Sequence, residues 1–432
     1  MSEPLTIYTA IPHGASASYY YRLTVPIKTA VELGLGIRAV VDTNDMSIPP
    51  EARIQNFCES DVVLMYQPVG DVPMANIRGV QSFIPSKRDG KWKWPPTVIC
   101  ETDDNLFNVS PLNPAFKNLG FRDLEGKDIP PGHEIGGIQN GERKIYWRDG
   151  EAGFDIRRNR QMLMGYRHIL SMVDAVTCST EAVKDSVLKE CTPRRAKVFP
   201  NLVRFNDYEQ VDLKESEKIK ILWQGGAAHF EDWYPLREAL GNITKRYPQV
   251  HWIIWGAQYH WVNELMPPHR YIYKDWCPYN EYRLRLATIG HDIALAPLQE
   301  HVFNRCRSAI KFYEAAVLKK PAAVLAQNSG AYKHEVQDGE TGLLFNDPEE
   351  FEAKLSLLIE DTAERKRLAA NAKDWVSENR DARKKVPEWV AYWRQLREDR
   401  KREQPHVSDA EWLEIEAEAT REQEQQEAAV AT

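Results

Sequence analysis

The six cysteines (58, 100, 178, 191, 277 and 306) form no CxxC pair and no metal-ligand spacing. That excludes a zinc ribbon or a thioredoxin-like redox pair and predicts reduced, mostly buried thiols in a cytoplasmic protein. No apolar run approaches the roughly 20 residues that span a bilayer. The N-terminal MSEPLTIYTAIPHG lacks the basic start and apolar core of a secretory signal and runs straight into strand-like residues. There is no GxGxxG after the first strand, so nothing points to a dinucleotide. The paired acids Asp103-Asp104 are adjacent rather than spaced as DxD, so no metal is expected. An excess of one charge is missing as well. The chain carries −7, but residues 398–432 alone hold 11 acids and 4 bases, which leaves the body neutral. The acidic balance therefore does not argue against a polyanionic partner.

What is present is alternation. Leu5–Tyr8 reads as a strand, followed by a small-residue loop (Pro12-His13-Gly14-Ala15-Ser16-Ala17-Ser18) and a helix from about Tyr19 to Leu33, closed by Gly34. Apolar runs at 37–41, 61–66 and 97–100 suit strands of a parallel sheet covered on both faces. The third of them ends in Glu101-Thr102-Asp103-Asp104, and carboxylates at a strand's carboxyl end sit where open α/β sheets bind ligands. Residues 108–160 read as an irregular, Pro-, Gly- and aromatic-rich connection. Basic residues interleave with aromatics at 87–94 (with Trp92 and Trp94) and at 143–160 (with Trp147). Such segments suit stacking on a sugar or contact with a phosphate-bearing partner such as nucleic acid. Residues 204–218 are polar and read as a linker. A second strand, Ile219–Gln224, feeds Gly225-Gly226, a turn that lets backbone approach a phosphate.

The most informative stretch is residues 307–346. Ser308 precedes the apolar helical run Ile310, Phe312, Tyr313, Ala315, Ala316, Leu318, and is predicted to cap it. The run stops at Lys319-Lys320-Pro321. Free amides at a helix start favour an anion, while Glu314 further along can reach ribose hydroxyls.

The pattern Ser308-x-x-Lys311-x-x-Glu314-Ala315, then Val336-x-Asp338-Gly339-x-Thr341-Gly342-Leu343-Leu344, resembles the nucleotide-sugar site of GT-B glycosyltransferases, specifically the large retaining family 4 group. The strings DAVTCSTEAV and VFPNLV resemble the end of that family's first domain. The resemblance covers roughly residues 5–395. It implies an α/β fold of two doubly wound Rossmann-like domains facing across a cleft, with C-terminal helices crossing back to the first.

The boundaries expected are an acceptor-binding domain 1–203, a linker 204–218, a donor-binding domain 219–362, crossing helices 363–403 and an acidic tail 404–432. The reaction implied is transfer of a sugar from a UDP- or GDP-sugar to a hydroxyl, with retention, no metal and no cofactor beyond the donor. Donor-binding residues would be Gly14, Gly225, Gly226, Trp276, Arg307, Ser308, Ala309 and Glu314. Asp103, Asp104, His229 and Lys311 would act at the reacting centre, with His229 giving a hydrogen bond or positive charge to the phosphates and Arg305 a further nearby cation. Arg22, Trp92, Trp94 and Trp147 would meet the acceptor, which is a glycan, a protein or a modified DNA base.

Two departures stand out. Family 4 usually has a glutamate eight residues before the ribose-binding one, where this chain has Cys306. The first loop of the second domain reads GGAAHFED, without the usual Arg/Lys pair. A non-catalytic nucleotide-sugar binder is the alternative from another class.

Overall fold

The computed structural model describes residues 4–12, 16–43, 50–82, 86–88, 91–139, 142–208, 210–213 and 216–403, with 408, 410, 413, 414, 417 and 421 in the tail. His13, Gly14 and Ala15, the Trp92 side chain and most of residues 404–432 lie outside the described set.

Two six-stranded, all-parallel sheets form the two halves. The first contains β1 (Leu5–Ala10), β2 (Ile37–Asp42), β3 (Val62–Tyr66), β4 (Thr97–Thr102), β5 (Ala175–Cys178) and β6 (Ala196–Val198), in the spatial order β6-β5-β4-β3-β1-β2. The second contains β7 (Ile219–Gly225), β8 (Val250–Gly256), β9 (Tyr271–Lys274), β10 (Ile293–Ala296), β11 (Ala323–Gln327) and β12 (Leu343–Phe345), ordered β9-β8-β7-β10-β11-β12. Central strands are apolar on both faces, as in Val62-Val63-Leu64 and Ile293–Ala296, because helices cover both sides. In each sheet the chain order reverses beside the first strand, and ligands of such sheets bind at that switch point, beyond the carboxyl ends.

The first long helix is not regular. A π-helical turn, Tyr20–Thr24, separates Ala17–Tyr19 from Val25–Glu32. Pro26 lacks the N–H that would bond four residues back, and the widened turn falls just before it. The widening carries Tyr20, Tyr21 and Arg22 together into the interior.

The stretch 108–160 is more ordered than its composition suggested. Glu134–Gln139 and Glu142–Arg148 pair as an antiparallel hairpin. The Asn140-Gly141 dipeptide between them, flanked by Ile135, Ile138, Ile145 and Trp147, is a hairpin signal in the sequence. Asp89-Gly90 stands likewise between Ser86–Arg88 and Lys91–Lys93, a second antiparallel pair.

The C-terminal helical region splits at Arg380-Asp381. Helix Thr362–Asn379 packs beside β11 in the second half, and helix Ala382–Arg402 crosses to the first. Trp389 and Trp393 are buried in that crossing; Arg397 donates to the Pro95 carbonyl at 2.6 Å and pairs with Asp61 at 3.1 Å. Among the described residues no helix is long and apolar enough to cross a membrane.

Candidate active site in the interdomain cleft

A cavity of about 400 Å³ opens between the two halves. Its floor on the second half is made where β7 turns at Gly225-Gly226. A Cβ on Gly225 would come within 2.9 Å of the His229 ring, and one on Gly256 within 2.5 Å of the Gly225 carbonyl. Gly256 also has φ +103°, so both positions need glycine for this close packing. Gly226 meets nothing within 4 Å and faces the cavity. Trp276, 69% exposed, stands at its edge.

The helix expected to start at Ser308 runs Ile310–Ala316, with Ala309 as its N-cap residue. Ser308 does not cap it. Its Oγ accepts from Asn201 Nδ2 at 2.9 Å, and that nitrogen also donates to Asp103 Oδ1 at 3.0 Å. Asn201, buried at the entry to the linker, thus ties the first half's Asp103 to the second half's Ser308.

Glu314, 3% exposed, has both oxygens engaged. Oε1 accepts from Tyr21 at 2.9 Å and Tyr279 at 2.7 Å; Oε2 accepts from Tyr282 at 3.0 Å and Gln224 at 3.3 Å. Burial raises its pKa, and these hydrogen bonds oppose the rise. None of the four donors was foreseen from sequence.

Lys311 is pushed down to about 8 by burial, with Asp232 and Glu314 opposing, so at neutral pH it remains mainly protonated. Arg307 lies 3.7 Å from Asp104, whose own pKa is raised by burial against that cation. His229 departs from expectation. Burial and then Lys311 push it down to about 4, so the ring is neutral at pH 7. Its Nδ1 lies 2.7 Å from Asp232 Oδ2. A neutral ring donating there keeps Nε2 as an acceptor, suited to a hydroxyl rather than to a phosphate oxygen.

Three acceptor-side expectations are corrected. Arg22 is fully buried, paired with Glu101 at 2.6 Å and donating to the Phe199 carbonyl and Asn201; its guanidinium also lies 4.9 Å from the Trp389 ring. It meets protein on every side. Trp147 packs with Phe116 and Phe154, and its indole N–H donates to the Pro111 carbonyl at 2.6 Å. Trp94 is 9% exposed and outside the cavity lining. The basic residues nearby have local partners too: Arg148 with Glu134, Arg158 with Asn118, and Arg160 with Asp128.

Arg305 is spent on Glu300 at the surface. Cys306 is buried between the halves, its thiol 3.4 Å from Ser186 Oγ and 3.5 Å from the Ala182 carbonyl, and it does not line the cavity. The remaining sequence candidates do: Asp103, Asp104, Gly225, Gly226, Trp276, His229, Arg307, Ser308, Lys311 and Glu314, with Ala309 at the adjoining cap.

Residues 235–391 match the family model described as Glycosyl transferase-like. No curated protein matches in sequence. Solved structures share the whole architecture at low identity. Sucrose-phosphate synthase from Thermosynechococcus elongatus superposes with TM-score 0.57 at 13% identity, over 90% of this chain and 98% of that one. Anabaena HepE with UDP and glucose gives 0.55 at 12%, over 90% and 100%. A glycosyltransferase from Rickettsia africae gives 0.55 at 13%, over 91% and 98%. The two doubly wound halves facing across a cleft give this chain the GT-B architecture of these structures, and its residues 235–391 form a glycosyl transferase-like segment.

Proposed function

We propose that the chain moves a sugar from a nucleotide diphosphate sugar to a hydroxyl acceptor, with retention and without a metal. The observation that carries this reading is the pairing across one cavity. A buried carboxylate (Glu314) and two cations (Lys311, Arg307) lie on one wall, and the carboxylates Asp103 and Asp104 lie on the other. The Anabaena HepE structures hold UDP, UDP with glucose, or UDP-glucose, which supports a nucleotide-sugar ligand for this cleft.

In this reading Glu314 accepts from the ribose hydroxyls, which take over from the cavity-lining Tyr279 and Tyr282. The amides near Gly226, Ser308 and Ala309 meet the diphosphate. Transfer forms a bond from the acceptor oxygen to the anomeric carbon and breaks the bond to the distal phosphate oxygen. The acceptor proton passes to the departing diphosphate. Lys311 and Arg307 stabilise the charge that grows on that leaving group, as fixed charges in a buried site do effectively. The glutamate usual at position 306 is absent, so recognition of the sugar falls to Asp103, Asp104 and the acceptor nitrogen of His229.

Purified protein incubated with a panel of UDP- and GDP-sugars is expected to release free nucleoside diphosphate slowly from one donor. Failure to bind any nucleotide would overturn the reading. Binding without turnover of any donor, with or without hydroxyl acceptors, favours the binding-protein alternative.

A pH dependence follows. kcat/KM for the donor reports the free enzyme. It is expected to fall as pH rises through about 8, where Lys311 loses its proton. His229, already neutral, contributes no change between pH 5 and 8. A profile flat to pH 10 would remove Lys311 from the reaction.

A further inference from the structure

A second cavity, of about 660 Å³, lies in the first half beyond the carboxyl ends of β1 and β3, between helices Pro50–Glu59 and Asp71–Gln81. It sits at the switch point of the first sheet and within the size range of small-molecule sites. Its lining adjoins that of the donor cleft at two places, with no residue common to both. Tyr19 lines this cavity and the preceding Ser18 lines the cleft. Gln67 lines this cavity while its side chain donates to the backbone carbonyl of Asp104 at 3.3 Å, and Asp104 lines the cleft.

Gln67 is held at φ +40°, a left-handed conformation that a non-glycine residue adopts at a cost of about 1–3 kcal/mol. Its amide donates to the Glu101 carbonyl at 2.9 Å. Such strain clusters where a side chain must be aimed.

The lining has a definite chemistry. Among the described residues Arg53 is its one cation and Asp42 its one carboxylate. They pair with each other at 3.4 Å, and Tyr8 donates to the same carboxylate at 3.0 Å. Elsewhere the wall is mainly apolar and aromatic, with Phe57, Met65, Val69 and the Tyr19–Tyr66 ring pair, whose centroids are 4.5 Å apart. Ile54 and Val72 are largely exposed at its rim. A charge brought here finds its opposite already engaged, whereas an uncharged apolar body finds rings and aliphatic surface.

We infer that this cavity holds the non-reacting body of the acceptor, and that the acceptor is an uncharged molecule with an apolar or aromatic portion whose hydroxyl points past Tyr66 to Asp104. This deepens the transfer reaction proposed above and rests on it.

The test uses the full chain with two probes, octyl β-glucoside below its micelle threshold and glucose 1-phosphate. Saturation-transfer NMR is expected to detect the first bound with a dissociation constant in the millimolar range or below. The phosphate ester is expected not to displace it. Two substitutions keep the packing intact. Gly79→Trp places bulk where an added Cβ meets nothing within 4 Å, and Val72→Asp puts a charge on the apolar rim. Each is expected to weaken octyl glucoside at least tenfold with an unchanged thermal midpoint. Equal binding by wild type and both variants overturns the inference, as does displacement of octyl glucoside by the phosphate ester or no binding of octyl glucoside. The two readings fail separately. A protein that binds nucleotide but not octyl glucoside sinks only the acceptor site, and one that binds no nucleotide sinks the transfer reaction itself.

Discussion

Arg22→Met is expected to lower the stability of the folded chain by about 3–5 kcal/mol, the usual cost of removing one member of a buried ion pair. Glu101 would be left with no countercharge in a fully buried position, where burial already raises its pKa and Arg22 is the chief opposing influence. The same change deletes the bonds to Phe199 and Asn201 and the contact with Trp389, so it loosens the seat of the crossing helix as well. The double variant Arg22→Met/Glu101→Gln is expected to recover part of the loss, because it removes the stranded charge along with its partner. Urea denaturation of the three proteins measures both effects. An unchanged midpoint for Arg22→Met, together with a raised KM for acceptor, would restore the acceptor role that burial has taken from this residue.

Lys311→Met is expected to reduce kcat by about 10²–10³-fold, the range seen when one fixed donor to a developing anion is removed. Methionine keeps the length and the packing but carries no charge. The leaving diphosphate gains its charge in the transition state, so kcat should fall further than donor affinity. Arg307 shares that role but makes up only part of the loss, since Asp104, 3.7 Å away across the cleft, already offsets some of its charge. A kcat within threefold of wild type would show that another group carries the leaving-group charge.

The parts of this account legible in the sequence are those with local signatures. Runs such as Val62-Val63-Leu64 followed by turns mark parallel strands, and Gly225-Gly226 and Ser308–Glu314 mark the two turns that face the cleft. What could not be read depends on long-range partners. Tyr21 meets Glu314 across 293 residues of chain, and Asn201 meets Asp103 and Ser308 across 98 and 107. No period or spacing encodes such contacts. Burial misled in the same way. An arginine on the helix after the first loop reads as an acceptor contact until the π turn before Pro26 places it in the interior, and a tryptophan in a basic segment reads as a stacking platform until its ring is found packed beside Phe116 and Phe154. The two antiparallel strand pairs were within reach, because Asn-Gly and Asp-Gly stand between their strands in the sequence.

The central claim is that Glu314 is the ribose anchor of a nucleotide-sugar site, and a four-way binding comparison tests it most directly. Affinities of wild type and Glu314→Gln are measured by calorimetry for the nucleoside diphosphate that the donor panel selects and for its 2′,3′-dideoxy form. Loss of the ribose hydroxyls is expected to weaken wild-type binding about tenfold or more, as befits hydrogen bonds to a charged group, and to matter little in Glu314→Gln. The same dideoxy penalty in both proteins, or none in wild type, would contradict the assignment of Glu314 and the donor orientation built on it.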